Sequence, residues 1–75
     1  MKGVINTEYP KISLSAARVN ARLTQTDAAK QIGISRAALQ NYEAGKTVPN
    51  INLCRKIEEI YQFPIAFIRF GINDQ

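Results

Sequence analysis

Apolar positions along this chain recur mostly at intervals of three and four, and few segments alternate with a period of two. The pattern predicts helices rather than strands. Five short ones fit. The first runs from about Leu14 to Arg22, with Leu14, Ala17, Arg18 and Ala21 on one face. The second runs from about Gln25 to Ile32. Thr24 is its N-cap, Asp27 lies in its first turn, and Ala28, Ala29 and Ile32 form its inner face. Gly33 suits the left-handed residue that follows a helix, and Ile34 folds back on the last turn. The third runs from about Arg36 to Ala44, between the N-cap Ser35 and the stop Gly45. After the loop "KTVPN", Asn50 caps a fourth, about Ile51 to Tyr61, with Ile51, Cys54, Ile57 and Tyr61 inward. "FPIAFIRFG" gives a short fifth, with Pro64 in its first turn and Gly71 at its end. Residues 1–12 read as an extended arm, 13–71 as one all-α domain and 72–75 as a tail.

One position and one helix face break the amphipathic pattern. Arg18 lies on the apolar side of the first helix, and a buried charge requires a partner. In the third helix Ala38, Leu39 and Tyr42 fall within an arc of about 100°. The opposite arc, about 140° wide, holds Arg36, Gln40, Ala44, Ala37 and Asn41. That side supports no obvious core.

Charge adds to this picture. The chain has 75 residues and a net charge of +4. Between Lys11 and Lys46 six basic residues face two acidic ones, and outside that window the charges balance. The excess therefore sits with the odd helix pair, as a polyanionic partner would require. Lys30 and Arg22 read as solvated.

Two helices joined by a three-residue turn containing glycine form a helix-turn-helix. Ala29 is small enough to let the third helix cross the second closely. The third helix then presents its polar side outward, and a B-DNA major groove about 12 Å wide admits one such helix. Arg36 suits guanine, Asn41 or Gln40 suits adenine, and Ala37 suits a thymine methyl.

The stretches "LTQTDAAKQIGISRAALQNYEAGKTVPN" and "FPIAFIRFG" resemble the Cro and phage-repressor type of helix-turn-helix protein. The shared pattern is Leu-Thr-Gln, then Ala, then Gly-hydrophobic-Ser, then a helix ending Glu-x-Gly-Lys, then Pro. The resemblance implies a compact lambda-repressor-like domain that binds double-stranded DNA as a phage or bacterial transcriptional regulator, above all a repressor. It implies that Arg36, Ala37, Gln40 and Asn41 face bases. Gln25, Ser35 and Lys46 would hold the DNA backbone, Gln25 also bracing the recognition helix. Arg18 would pair with Glu43. Two residues depart from the pattern: Ala28 stands where a larger aliphatic residue is usual, and Glu58 where alanine is common.

Leu53, Ile60, Ile65 and Phe70 exceed what one small core needs. They point to a C2 homodimer through the fourth and fifth helices. Such a dimer would read a palindromic operator with half-sites about 34 Å apart.

Other classes fit less well. The chain has no histidine, no Cys/His cluster for zinc and no Walker-type phosphate loop. We therefore expect no enzyme, metal, cofactor or small-molecule substrate. No apolar run reaches membrane-spanning length, and "MKGVINTEYPK" lacks the apolar segment of a signal peptide. With the single Cys54, this points to a reducing, cytoplasmic setting without a membrane partner. Cys54 itself reads as a small core hydrophobe. The alternative to DNA reading is a protein-interaction module on the same fold. Cro-like protein, repressor fragment, antitoxin and restriction controller stay equally open.

Overall fold

The computed structural model describes residues 10–71. Arm residues 1–9 and the tail 72–75 lie outside the described residues. The order is β1 (Ile12–Ser13), α1 (Leu14–Asn20), α2 (Gln25–Ile32), α3 (Arg36–Glu43), α4 (Ile51–Tyr61), a 3-10 turn at Ile65–Phe67 and β2 (Ile68–Arg69).

Each helix begins in the same way. The side-chain oxygens of Ser13, Thr24, Ser35 and Asn50 accept from the backbone N–H three residues on. Each replaces a bond that the first turn of a helix cannot make for itself. The helices also end alike. Arg22, Gly33, Gly45 and Gln62 have φ of 64°, 90°, 78° and 52°. The next residue's N–H then reaches back five positions: Leu23 to Arg18, Ile34 to Ala29, Lys46 to Asn41 and Phe63 to Glu58. Glycine adopts this conformation without strain. At Arg22 and Gln62 the returning bond holds a residue that carries a side chain, so α1 stops two residues earlier than its apolar spacing predicts.

The core is built from one face of every helix. Leu14 and Ala17 of α1, Ala28, Ala29 and Ile32 of α2, Leu39 of α3, and Cys54, Ile57 and Tyr61 of α4 are buried, with Ile68 of β2. The small Ala28 is fully enclosed. Ile51 is a correction: expected inward, it is 65% exposed. As the first residue of α4 its side chain leans back over the turn before the helix, past the edge of the core. Leu53, Ile60, Ile65 and Phe70 are half-buried and pack against the core, keeping part of their surface outside.

The expected fifth helix is also corrected. Among the described residues four α-helices are present, not five. The segment after Pro64 makes one 3-10 turn, then extends and pairs in parallel with β1, Ile12 opposite Ile68 and Ser13 opposite Arg69. A lone turn of helix is unstable without packing. The β-branched Ile68 is buried more effectively as a strand beside Ile12. Glu58 helps the switch: its carboxylate accepts from the N–H of Ile65 at 3.1 Å. Arg69 donates to the carbonyl of Lys11 at 3.1 Å, and Phe63 and Phe67 meet edge to face at 6.4 Å. The clasp therefore draws Lys11 and Ile12, at the end of the expected arm, onto the domain.

Among the described residues, the Tyr61 hydroxyl has no hydrogen-bond partner. Burial, aided by the negative charge of Glu43 and opposed by Arg18, pushes its ionisation from the usual phenol value of about 10 up to about 12. The fold thus selects the neutral phenol. This contribution is whole below pH 10 and is lost as pH rises toward 12. Tyr61→Phe removes an unmet polar group. We expect it to melt at or above the wild-type temperature at pH 7, and to lose less stability than wild type by pH 11. Melts at the two pH values check this. A drop at pH 7 of roughly 5 °C, or about 1 kcal/mol for a small domain, would mean that the hydroxyl has a stabilising partner.

Candidate nucleic-acid interface

The turn between α2 and α3 consists of Gly33, Ile34 and Ser35. Gly33 takes the left-handed conformation, and its N–H and that of Ile34 both close on the carbonyl of Ala29. The chain turns on these two bonds, and Ser35 starts the next helix at once by accepting from Ala38 at 3.0 Å. The buried Ala28 and Ala29 on α2 and Leu39 on α3 then allow the two helices to pack closely.

Helical phase decides the rest. With Leu39 buried and Ala38 and Tyr42 half-buried, Arg36, Ala37, Gln40, Asn41 and Ala44 are all exposed. Lys46 is exposed in the loop that follows. The Ser35 oxygen is occupied as an acceptor, but its hydroxyl hydrogen is still available to donate. Gln25, at the first position of α2, is half-buried.

Behind this face lies a polar network. Arg18 Nε donates to Glu43 Oε2 at 2.7 Å, and Nη2 reaches Oε1 at 3.4 Å. The two side chains are only 13% and 8% exposed. Arg18 Nη1 donates to the carbonyl of Leu23 at 2.8 Å, which ties the pair to the α1–α2 connection. Glu43 Oε1 also accepts from Gln25 Nε2 at 2.9 Å. The Gln25 oxygen in turn accepts from Gln40 Nε2 at 3.3 Å and Arg36 Nε at 3.5 Å. The structure thus brings Arg18, Glu43, Gln25, Arg36 and Gln40 into one chain of contacts and leaves Ala37, Asn41 and Lys46 outside it on the surface. The Leu23 carbonyl had no signal in the sequence, because any residue there would supply one.

The pair also shapes the field. Glu43 is neutralised inside by Arg18, whereas Lys11, Arg22, Lys30, Arg36 and Lys46 are exposed beside the single exposed acid of that window, Asp27. The interior pair takes one charge of each sign away from solvent and leaves the net excess of the window unchanged, carried by five exposed basic residues against one exposed acid.

A helix-turn-helix family model matches residues 14–68. The chain belongs to the Cro and phage-repressor type of helix-turn-helix family. Its members are DNA-binding regulators, and the match runs from the first residue of α1 into β2. The chain is also similar to multiprotein-bridging factor 1c of Arabidopsis thaliana, with 36% identity over 50 residues. That match takes in 67% of this chain and 34% of the relative, so the helix-turn-helix chain spans about a third of that protein's length. No solved structure matches significantly. Among the described residues no helix is long and apolar enough to cross a membrane.

Proposed function

We propose that this helix-turn-helix domain binds double-stranded DNA sequence-specifically, with α3 in the major groove, and serves as a phage- or bacterial-type transcriptional repressor. The observation that carries the reading is the exposed set Arg36, Ala37, Gln40 and Asn41 on a helix whose other side is fixed in the core. These side chains supply the donors, acceptor and methyl that base edges in that groove require. Gln25, Ser35 and Lys46 flank them as backbone contacts. A C2 dimer would double the site on a palindromic operator. Its apolar surface would come from Val48 and Ile51, 61% and 65% exposed, with the uncovered parts of Leu53, Ile60, Ile65 and Phe70. A repressor would act by occluding a promoter.

The test is selection of bound duplexes from a randomised pool of about 30 base pairs at near-physiological salt. Enrichment of a palindrome with half-sites about 10 base pairs apart supports a dimeric, base-reading regulator. An output without sequence preference overturns base reading.

A second reading, a protein-interaction module, draws support from the likeness to a bridging factor and from exposed Val48 and Ile51. Salt separates the two. DNA binding weakens steeply as salt rises, because each neutralised phosphate releases counterions; an apolar protein contact does not. Within the DNA reading, Lys46→Ala is expected to weaken binding to all duplexes about equally and to lower the salt slope by about one. Titrations at several salt concentrations check it. An unchanged slope would remove Lys46 from the phosphate contacts.

A further inference from the structure

We propose that Tyr42 is a further DNA-contacting residue, its phenol hydroxyl donating to a backbone phosphate on the side of α3 away from Gln25. This rests on the reading that places α3 in the major groove.

An α-helix with its side chains is about 10–12 Å across and the major groove about 12 Å wide, so a helix seated there has sugar-phosphate backbone along both of its sides. The two sides of α3 differ. Counted at about 100° per residue from the buried Leu39, Glu43, Arg36 and Gln40 lie about 40°, 60° and 100° round to one side. All three meet Gln25, at 2.9 Å, 3.5 Å and 3.3 Å, so this is the side that the start of α2 covers. Tyr42 and Ala38 lie about 60° and 100° round to the other.

Tyr42 suits that second side. Its ring is half-buried and packs against the core. Among the described residues nothing hydrogen-bonds its hydroxyl, which is not shut in as the Tyr61 hydroxyl is. A tyrosine with its apolar body fixed in protein and its polar end open is the kind that interfaces use. The ring is already held by packing, so little freedom is lost when the hydroxyl finds an acceptor. Helical side chains lean toward the N-terminal end, which brings the ring over the turn of Ala38. Alanine is short, so no bulky side chain there keeps an approaching backbone away. A hydroxyl also donates without adding a charge. Tyr42 would therefore hold the second strand by a bond that differs in kind from the Lys46 contact.

The test compares the full chain with Tyr42→Phe, which keeps the ring and its packing. Both are titrated with the selected duplex, with duplexes altered one base pair at a time, and with a series that carries a single uncharged methylphosphonate at each half-site position in turn. We expect the same melting temperature and the same enriched sequence. Affinity should fall on the order of tenfold on all duplexes alike, the scale of a hydrogen bond to a charged group. The salt slope should stay as it is, unlike that of Lys46→Ala. One methylphosphonate position should weaken wild type without weakening Tyr42→Phe further, and that position is the contact. Equal affinity of the two proteins would overturn the proposal, as would independent losses at every methylphosphonate position. A loss confined to one base pair would overturn it by moving Tyr42 to base reading. A uniform loss coupled to one phosphate, in a protein whose selection enriches no sequence, would uphold the contact and overturn base reading. A wild type that retains no duplex would overturn both.

Discussion

Replacing Glu43 with alanine will remove a large share of this domain's stability. The substitution leaves the guanidinium of Arg18 buried without its counter-charge and strands the amide nitrogen of Gln25. Breaking one side of a buried pair costs about 3–5 kcal/mol. A domain of this size holds roughly 4–11 kcal/mol in all. The melting temperature should fall by on the order of 15–30 °C, read by far-ultraviolet circular dichroism. A double variant, Arg18→Met with Glu43→Leu, separates the causes. If the cost is the orphaned charge, the double variant melts well above Glu43→Ala, since apolar replacements of a buried pair are often tolerated. A Glu43→Ala protein that melts within a degree or two of wild type would mean that water reaches the pair and that it holds nothing together.

The largest effect on binding is expected at Arg36. It is exposed at the first position of α3, where the helix dipole does not favour a positive charge. Its placement is therefore better accounted for by a partner than by the helix. Arg36→Ala should cost about 1–3 kcal/mol on the best duplex, or roughly 5- to 150-fold in Kd. It should also relax the preference at a single base pair. The measurement is competition binding against four duplexes that differ only there. The contrast with Lys46→Ala is the diagnostic feature: one variant changes what is read, the other how tightly every sequence is held. Undiminished binding of the best site by Arg36→Ala would mean that the first turn of α3 is not the reading face.

Both expectations depend on features that differ in how visible they are along the chain. The exposed side of α3 follows from helical phase, because Leu39 and its neighbours fix the inward direction. The partnership of Arg18 with Glu43 is another matter. Arg18 stands out as a charge on an apolar face, but nothing local selects Glu43, 25 residues away, over other acids; only the resemblance to the family points to it. The Gln25 amide is less visible still, since the carboxylate it donates to lies on the next helix, 18 residues away.

What depends on neighbouring residues is legible in the chain alone. Thr24, Ser35 and Asn50 start helices and Gly33 and Gly45 end them because those side chains, or the lack of one, act within a single turn. The bounds of α2 and the start of α4 follow from these signals, as do the inward faces of α2 and most of α4. What depends on distant partners emerges only when the chain folds. Arg22 and Gln62 adopt a conformation that their side chains disfavour, held there by packing and the returning backbone bond. Ile51 is left outside because the core ends before the first turn of α4. The segment after Pro64 carries helix signals at both ends, yet becomes a strand because Ile12, at the far end of the chain, offers it a backbone edge and a buried contact. Local preferences for so short a segment amount to a few tenths of a kcal/mol per residue. Burying one isoleucine is worth about 1.5–3 kcal/mol, and burial outweighs the local preference for helix.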